Sequence, residues 1–219
     1  MKPIIGHYGK WVVLTYLNIV SAVIGISMSL MGNLSAAILF LLICGLCDMF
    51  DGPIARRASR TTDQKSYGVQ VDALADIISF GVFPLVIGYG AGAPLIISAF
   101  PNLSIIISII VAAIYILAAQ IRLAYFNVEE MKLLEENTAR NFYQGMPVTF
   151  VALLIPFIYA LSLIFEFSLR YIYNPLLLLL AIAFVSKLKI PKMRGNRLLV
   201  LLGIGIIIGI IVLIVIHIN

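Results

Sequence analysis

Long apolar runs separated by short polar breaks set the pattern of this chain. Runs of spanning length, roughly 17 to 25 residues for a membrane-crossing helix, can be read along the whole sequence. They cover Trp11–Met31, Leu34–Cys47 with a continuation through the charged residues that follow, Val69–Tyr89, Leu103–Phe126, Val148–Phe167, Tyr171–Ser186 and Leu198–Ile216. A backbone that crosses lipid must satisfy its own hydrogen bonds, so these seven runs predict an all-α polytopic helical bundle. Residues 1–10 mix polar and apolar side chains ahead of Trp11 and predict an interfacial segment. Ala58–Tyr67 is expected to be a short polar loop, Gly88–Asn102 an outer turn region rich in Gly and Pro, and Glu129–Asn141 a solvated helix or loop. No internal repeat or soluble domain interrupts the pattern, and residues 1–219 read as one membrane domain.

Composition agrees, with 62% hydrophobic and 11% charged residues and a mean hydropathy of +1.10, a balance that excludes a soluble globular domain. The first run is too long, and lacks the small-residue cleavage site, for a secretory signal peptide. Charge sets the expected orientation. Lys2, Lys10, Arg56, Arg57, Arg60, Lys65, Arg122, Lys132, Arg140, Lys187, Lys189, Lys192, Arg194 and Arg197 fall on one side if the spans alternate. Only Arg170 falls on the other, four residues after Glu166 as a candidate helical pair. Positive-inside bias then places the N-terminus and the basic loops in the cytoplasm. The net charge of +5 suits anionic headgroups rather than nucleic acid. Cys44 and Cys47 lie in an apolar run without further soft ligands and read as packing residues. Asn33 and Asn102 each open an Asn-Leu-Ser triplet too close to the membrane for glycosylation, and read as helix caps. Gly205 and Gly209 in the last run permit close helix approach.

Four carboxylates break this apolar background: Asp48 and Asp51 in Asp48-Met-Phe-Asp51-Gly52-Pro-Ile-Ala55-Arg56, then Asp72 and Asp76 after Gly68. An ionised carboxylate in a low-dielectric setting is costly, so four together require cationic compensation. On helices, spacings of three and four put each pair on one face. Two helices meeting across a short loop would direct all four into one site. Hard oxygen donors in that number suit Mg²⁺, Mn²⁺ or Ca²⁺ rather than zinc or copper, and can hold two ions for displacement at phosphorus. The plainer alternative is an interfacial charge network with Arg56, Arg57 and Arg60. Gly52, Ala55 and Gly68, one turn from the acids, count against it, because a network would not require small residues there.

The run from Asp48 to Asp76 resembles the signature of the CDP-alcohol phosphatidyltransferase family: Asp-x-x-Asp-Gly-x-x-Ala-Arg, a variable gap, then Gly-x-x-x-Asp-x-x-x-Asp, with every fixed position present. Asp72–Pro84, Arg122–Asn127 and Phe142–Pro147 extend a less specific likeness to the serine-type branch as far as about Lys192. The resemblance implies a six-helix core, with 198–216 as an additional span outside it. It further implies transfer of a phosphatidyl group from CDP-diacylglycerol, or a CDP-archaeol-type lipid, to the hydroxyl of L-serine, releasing CMP. By position, Asp48, Asp51 and Asp72 would ligate two ions, Mg²⁺ or Mn²⁺ with Ca²⁺ as an option. Asp76 would touch one ion and act as general base. Asp51, Gly52, Ala55, Arg56 and Gly68 would shape the CDP site, with Asn18 and Ser21 near the nucleotide. Arg122, with Asn127 and Gln144, is the expected reader of the serine carboxylate, and Lys187 and Lys189 are candidates for lipid or substrate phosphate. Membrane lipids and a second copy in a homodimer complete the implied partners. Competing expectations are a sister transferase acting on glycerol 3-phosphate or an inositol phosphate, a divalent-cation transporter, and a non-enzymatic lipid-binding scaffold.

Overall fold

The computed structural model describes residues 5–95, 100–136, 142–187, 189–191 and 196–218. Its helices follow the apolar runs. They are α1 (Val13–Leu30), α2 (Leu34–Arg57), α3 (Thr62–Asp76), which passes through a π-helical segment (Ile77–Val82) into α4 (Phe83–Gly90), and α5 (Pro101–Glu135). The series ends with α6 (Val151–Ile164), α7 (Leu169–Val185) and α8 (Asn196–Ile218). Val13–Leu30, Leu34–Arg57, Thr62–Gly90 and Pro101–Leu134 are each long and apolar enough to cross a membrane; Val148–Ile164, Leu169–Val185 and Val200–Ile214 are shorter apolar helices. A two-stranded antiparallel ribbon, β1 (Phe142–Gln144) with β2 (Lys189–Pro191), ties the segment before α6 to the one after α7.

The bundle packs as a membrane protein does, through small residues. A methyl group on Gly45 would lie 2.6 Å from Ala152 Cβ, which is how closely α2 and α6 approach. Ile106, Ile109, Ile110, Leu117 and Ile121 of α5 are exposed at helical spacing, while Val111, Tyr115, Ala118 and Ala119 on the other side are buried. In lipid that exposed stripe is a coat rather than a liability.

Several local expectations change. Ala58–Tyr67 is not all loop: Thr61 and Gln64 form a reciprocal capping box, and α3 begins at Thr62. Asn33 caps α2 by accepting from the Ala36 amide at 3.1 Å, but Asn102 lies in the first turn of α5 behind Phe100 and is no cap. Glu166 sits in a left-handed turn (φ 55°) before α7 starts at Leu169, so it and Arg170 are not a pair on one helix. Trp11 is buried against the protein. Its ring lies edge-on to Tyr67, with centroids 6.3 Å apart, and Arg60 sits over it at 5.5 Å.

Pro84 explains part of the geometry beyond Asp76. It has no N–H to return to the carbonyl four residues earlier, that of Phe80, and the buried Tyr115 hydroxyl donates to that carbonyl at 2.6 Å. Tyr173 donates to the Pro84 carbonyl at 2.7 Å. Thus α5 and α7 hold the stretch that leaves the acidic site.

Candidate active site

The tight link after α2 turns the chain so that the C-terminal part of α2 faces α3. Asp48, Asp72 and Asp76 each place a carboxylate oxygen within 4.8 Å of the others. Asp51, one turn further along α2, lies beside Asp72, and Asp48 lies beside Asp76. Thr15 of α1 donates to Asp51 Oδ2 at 3.4 Å. The tight trio therefore contains Asp76 and leaves Asp51 at its side, whereas the family resemblance implied Asp48, Asp51 and Asp72 as the cradle with Asp76 touching one ion. Asp76 is 6% exposed and its Oδ1 has no hydrogen-bond partner among the described residues.

A divalent ion fits this donor set. All the donors are hard oxygens, and the nearby arginines are turned elsewhere: Arg60 towards Trp11, with its Nε unpartnered, and Arg56 back along α2 over Gly52. An orphaned, buried carboxylate oxygen among three other acids is a group that awaits a cation. A plain network with Arg56, Arg57 and Arg60 does not match this arrangement.

The acids form the polar end of a cavity of about 1320 Å³. Gly52, Ala55, Arg56, Arg60, Lys65 and Gly68 line it on one side, Arg122 and Asn127 on another. The small residues make room first for protein. A methyl on Gly52 would lie 3.2 Å from Arg56 Nη1, and one on Gly68 would lie 3.2 Å from both Arg60 Nη1 and the Trp11 ring. Arg122 is 5% exposed, donates from Nε to the Met146 carbonyl at 3.2 Å and from Nη2 to the Gly145 carbonyl at 3.4 Å, and lies over Phe126. It thereby fastens the Gly145–Pro147 loop to α5. Gly145 needs its left-handed conformation (φ 78°) there, and a methyl would meet the Phe184 carbonyl at 2.7 Å.

The remaining expected residues lie apart. Asn18 is fully buried behind the cavity wall, with neither amide atom partnered, and Ser21 is buried on the same helix; neither lines the cavity. Lys187 is exposed after α7 and is not on the cavity wall. Gln144 and Lys189 face each other in the β1–β2 register, and their side chains lie outside the described residues. Sequence reasoning missed Thr15 and Trp11 as wall residues. Thr15 was within reach of it, being one turn before Asn18 in a buried polar stripe.

The CDP-alcohol phosphatidyltransferase family model matches residues 12–188, which hold every acid and every helix up to α7. The chain belongs to this family. Among curated proteins it is 29% identical over 182 residues to the archaetidylserine synthase of Methanothermobacter thermautotrophicus, covering 83% of this chain and 69% of that protein. It is also 29% identical over 184 residues to the CDP-diacylglycerol–serine O-phosphatidyltransferase of Bacillus subtilis, covering 82% and 88%. A protein of the same name from Methanocaldococcus jannaschii is 24% identical over 199 residues, covering 90% and 81%. The chain is thus a transferase of the CDP-alcohol phosphatidyltransferase family, a multi-pass membrane enzyme, and its α8 lies beyond the family match.

Proposed function

We propose that this transferase moves a phosphatidyl-type group from a CDP-activated lipid, diacyl or archaeol, to the hydroxyl of L-serine, releasing CMP, and that it needs two divalent ions, Mg²⁺ or Mn²⁺. The observation that carries this reading is the carboxylate cluster of Asp48, Asp72 and Asp76 at the polar end of a large cavity, in a chain whose similar curated relatives are named as serine-lipid synthases.

Bound among the carboxylates, the ions would neutralise charge on the pyrophosphate and on departing CMP. Asp48, Asp51 and Asp72 would hold them, with Asp76 touching one, and Thr15 keeps Asp51 oriented. Asp76 takes the proton from the serine hydroxyl, which is a poor nucleophile until that proton leaves. The hydroxyl oxygen bonds to the lipid-side phosphorus as the bond to the CMP oxygen breaks. Arg56, Arg60 and Lys65 supply positive charge for the nucleotide phosphates at one wall. Arg122 retains cavity access while holding the loop, and with Asn127 it offers donors to the serine carboxylate. Asn18 supports the α1–α2 wall, since its carbonyl accepts from Cys44 Sγ at 3.5 Å. The positive-inside pattern puts the N-terminus and this site at the cytoplasmic face, and the family resemblance supports a homodimer.

One feature favours a phosphorylated acceptor as second reading. Arg56, Arg60, Lys65 and Arg122 together make the cavity more cationic than Arg122 alone would. Purified protein incubated with a CDP-lipid, with and without Mg²⁺ or Mn²⁺, and with serine, glycerol 3-phosphate or inositol phosphate decides between them. Metal-dependent CMP release with serine is the expected result. Release with a phosphorylated acceptor but not serine overturns the serine assignment, and release undiminished by chelation overturns the metal requirement.

A further inference from the structure

The cavity does not end at the acids. Beyond them it continues as an apolar arm between α2, α6 and α8, with Leu39 and Ile43 on one wall and Gly205, Ile206, Gly209 and Leu213 on the α8 wall. From Leu201 to Leu213, both on the wall, α8 rises about 18 Å. That compares with about 15 Å for half a bilayer's hydrocarbon core. Ile206 and Leu213 are 49% and 54% exposed, so the arm opens sideways towards lipid. Its polar end holds the unpartnered Oδ1 of buried Asp76.

We infer that this arm is the subsite for a hydrocarbon chain of the CDP-lipid donor, and that Gly205 and Gly209 of α8, outside the matched family region, set the width available to that chain. The inference rests on the donor proposed above: a lipid whose pyrophosphate meets the acids must lead its chains away from them, and the cavity offers this apolar, laterally open route. Lipid is as apolar as the arm, so the subsite selects by shape rather than by hydrophobic transfer. The two glycines differ in what faces them. A methyl at Gly205 would meet Leu153 Cδ2 at 3.3 Å, whereas one at Gly209 would meet Leu42 Cδ1 at 3.7 Å, an ordinary contact. Gly209 therefore accepts a Cβ without unseating α8, and Gly209 lies on the arm's wall, so a larger side chain there takes up width in the arm. Gly203, with nothing within 4 Å of its added methyl and no place on the cavity wall, is the control on the same helix.

The test compares CMP release from CDP-dioleoylglycerol and CDP-dihexanoylglycerol in mixed micelles with serine and Mn²⁺. Gly209→Leu is expected to lower kcat/KM for the long-chain donor about tenfold relative to the short-chain one, the scale of an overpacked site, while Gly203→Leu leaves the ratio unchanged. Should Gly209→Leu not accumulate, Ile43→Phe narrows the arm from the opposite wall and predicts the same shift. An unchanged ratio in the folded wall variant, or an equal shift in Gly203→Leu, overturns the inference while leaving the serine reaction standing. Wild-type protein that releases no CMP from either donor overturns both.

Discussion

Asp76 is the residue on which the proposed chemistry turns, because it is buried, sits in the tight carboxylate trio and keeps one oxygen without a hydrogen-bond partner among the described residues. Asp76→Asn preserves size and removes the base, so turnover should fall by at least about a thousandfold, within the hundredfold to ten-thousandfold range of general-base catalysis. Nucleotide binding, followed by calorimetry with CDP-lipid, should persist within about tenfold. Retained turnover would remove Asp76 from the base role. Thr15→Val asks a gentler question: it deletes one hydrogen bond to Asp51, and kcat should drop by about threefold to tenfold, the scale of one modest hydrogen bond. At this scale the four acids were legible in the sequence, because carboxylates spaced three and four apart in an apolar chain are too costly to persist there without a cation. Thr15 and Trp11 were not, since a single Thr or Trp near a helix start has many ordinary uses, and only the fold brings them against Asp51 and Arg60. Arg122 was found, but not its hold on the Gly145 and Met146 carbonyls, because that partnership depends on where the loop returns.

Among the elements, each of the seven apolar runs falls on a helical rod among the described residues, four of them long and apolar enough to cross a membrane, since length and hydropathy decide such helices almost alone. Boundaries fared less well. Helix α3 starts at Thr62 because the Thr61–Gln64 box satisfies its first amides, a local bonding pattern that hydropathy does not register. The π-helical turn after Asp76 was equally hidden, although Pro84 marks a carbonyl in need of another donor. Tyr115 supplies one, and its removal should matter to both stability and catalysis. Tyr115→Phe leaves the buried Phe80 carbonyl short of that donor, and unfolding in detergent should become easier by about 1–3 kcal/mol. A lowered melting temperature with a matching loss of kcat would tie the π segment to the placement of Asp76. An unchanged melting temperature would show that the carbonyl is served without Tyr115.

For the whole molecule, the acids and the charge pattern make linked claims: a cation completes the site, and the site faces the cytoplasm. Four clustered carboxylates, two buried and two half-buried, destabilise the fold without a cation, so Mg²⁺ or Mn²⁺ should raise the melting temperature and a chelator should lower it. Saturation at a hundredfold over the dissociation constant corresponds to about 2.7 kcal/mol. Asp48→Asn should abolish most of that shift, and a shift of equal size in Asp48→Asn would place the ion elsewhere. Orientation is tested by labelling. Ser59 lies exposed in the link between α2 and α3, next to the acidic site, and Ser168 lies exposed at the opposite turn before α7. The native Cys44 is fully buried and Cys47 half-buried, so a membrane-impermeant maleimide has little access to either. In intact cells it should label Ser168→Cys and spare Ser59→Cys, and in inverted vesicles the order should reverse. In the proposed reaction serine comes from water and the lipid donor carries its nucleotide at one membrane face, so both would meet on the side that labels Ser59→Cys. If that side proved to be the outside, the positive-inside reading would fail, and the enzyme would need its nucleotide-activated substrate delivered across the membrane.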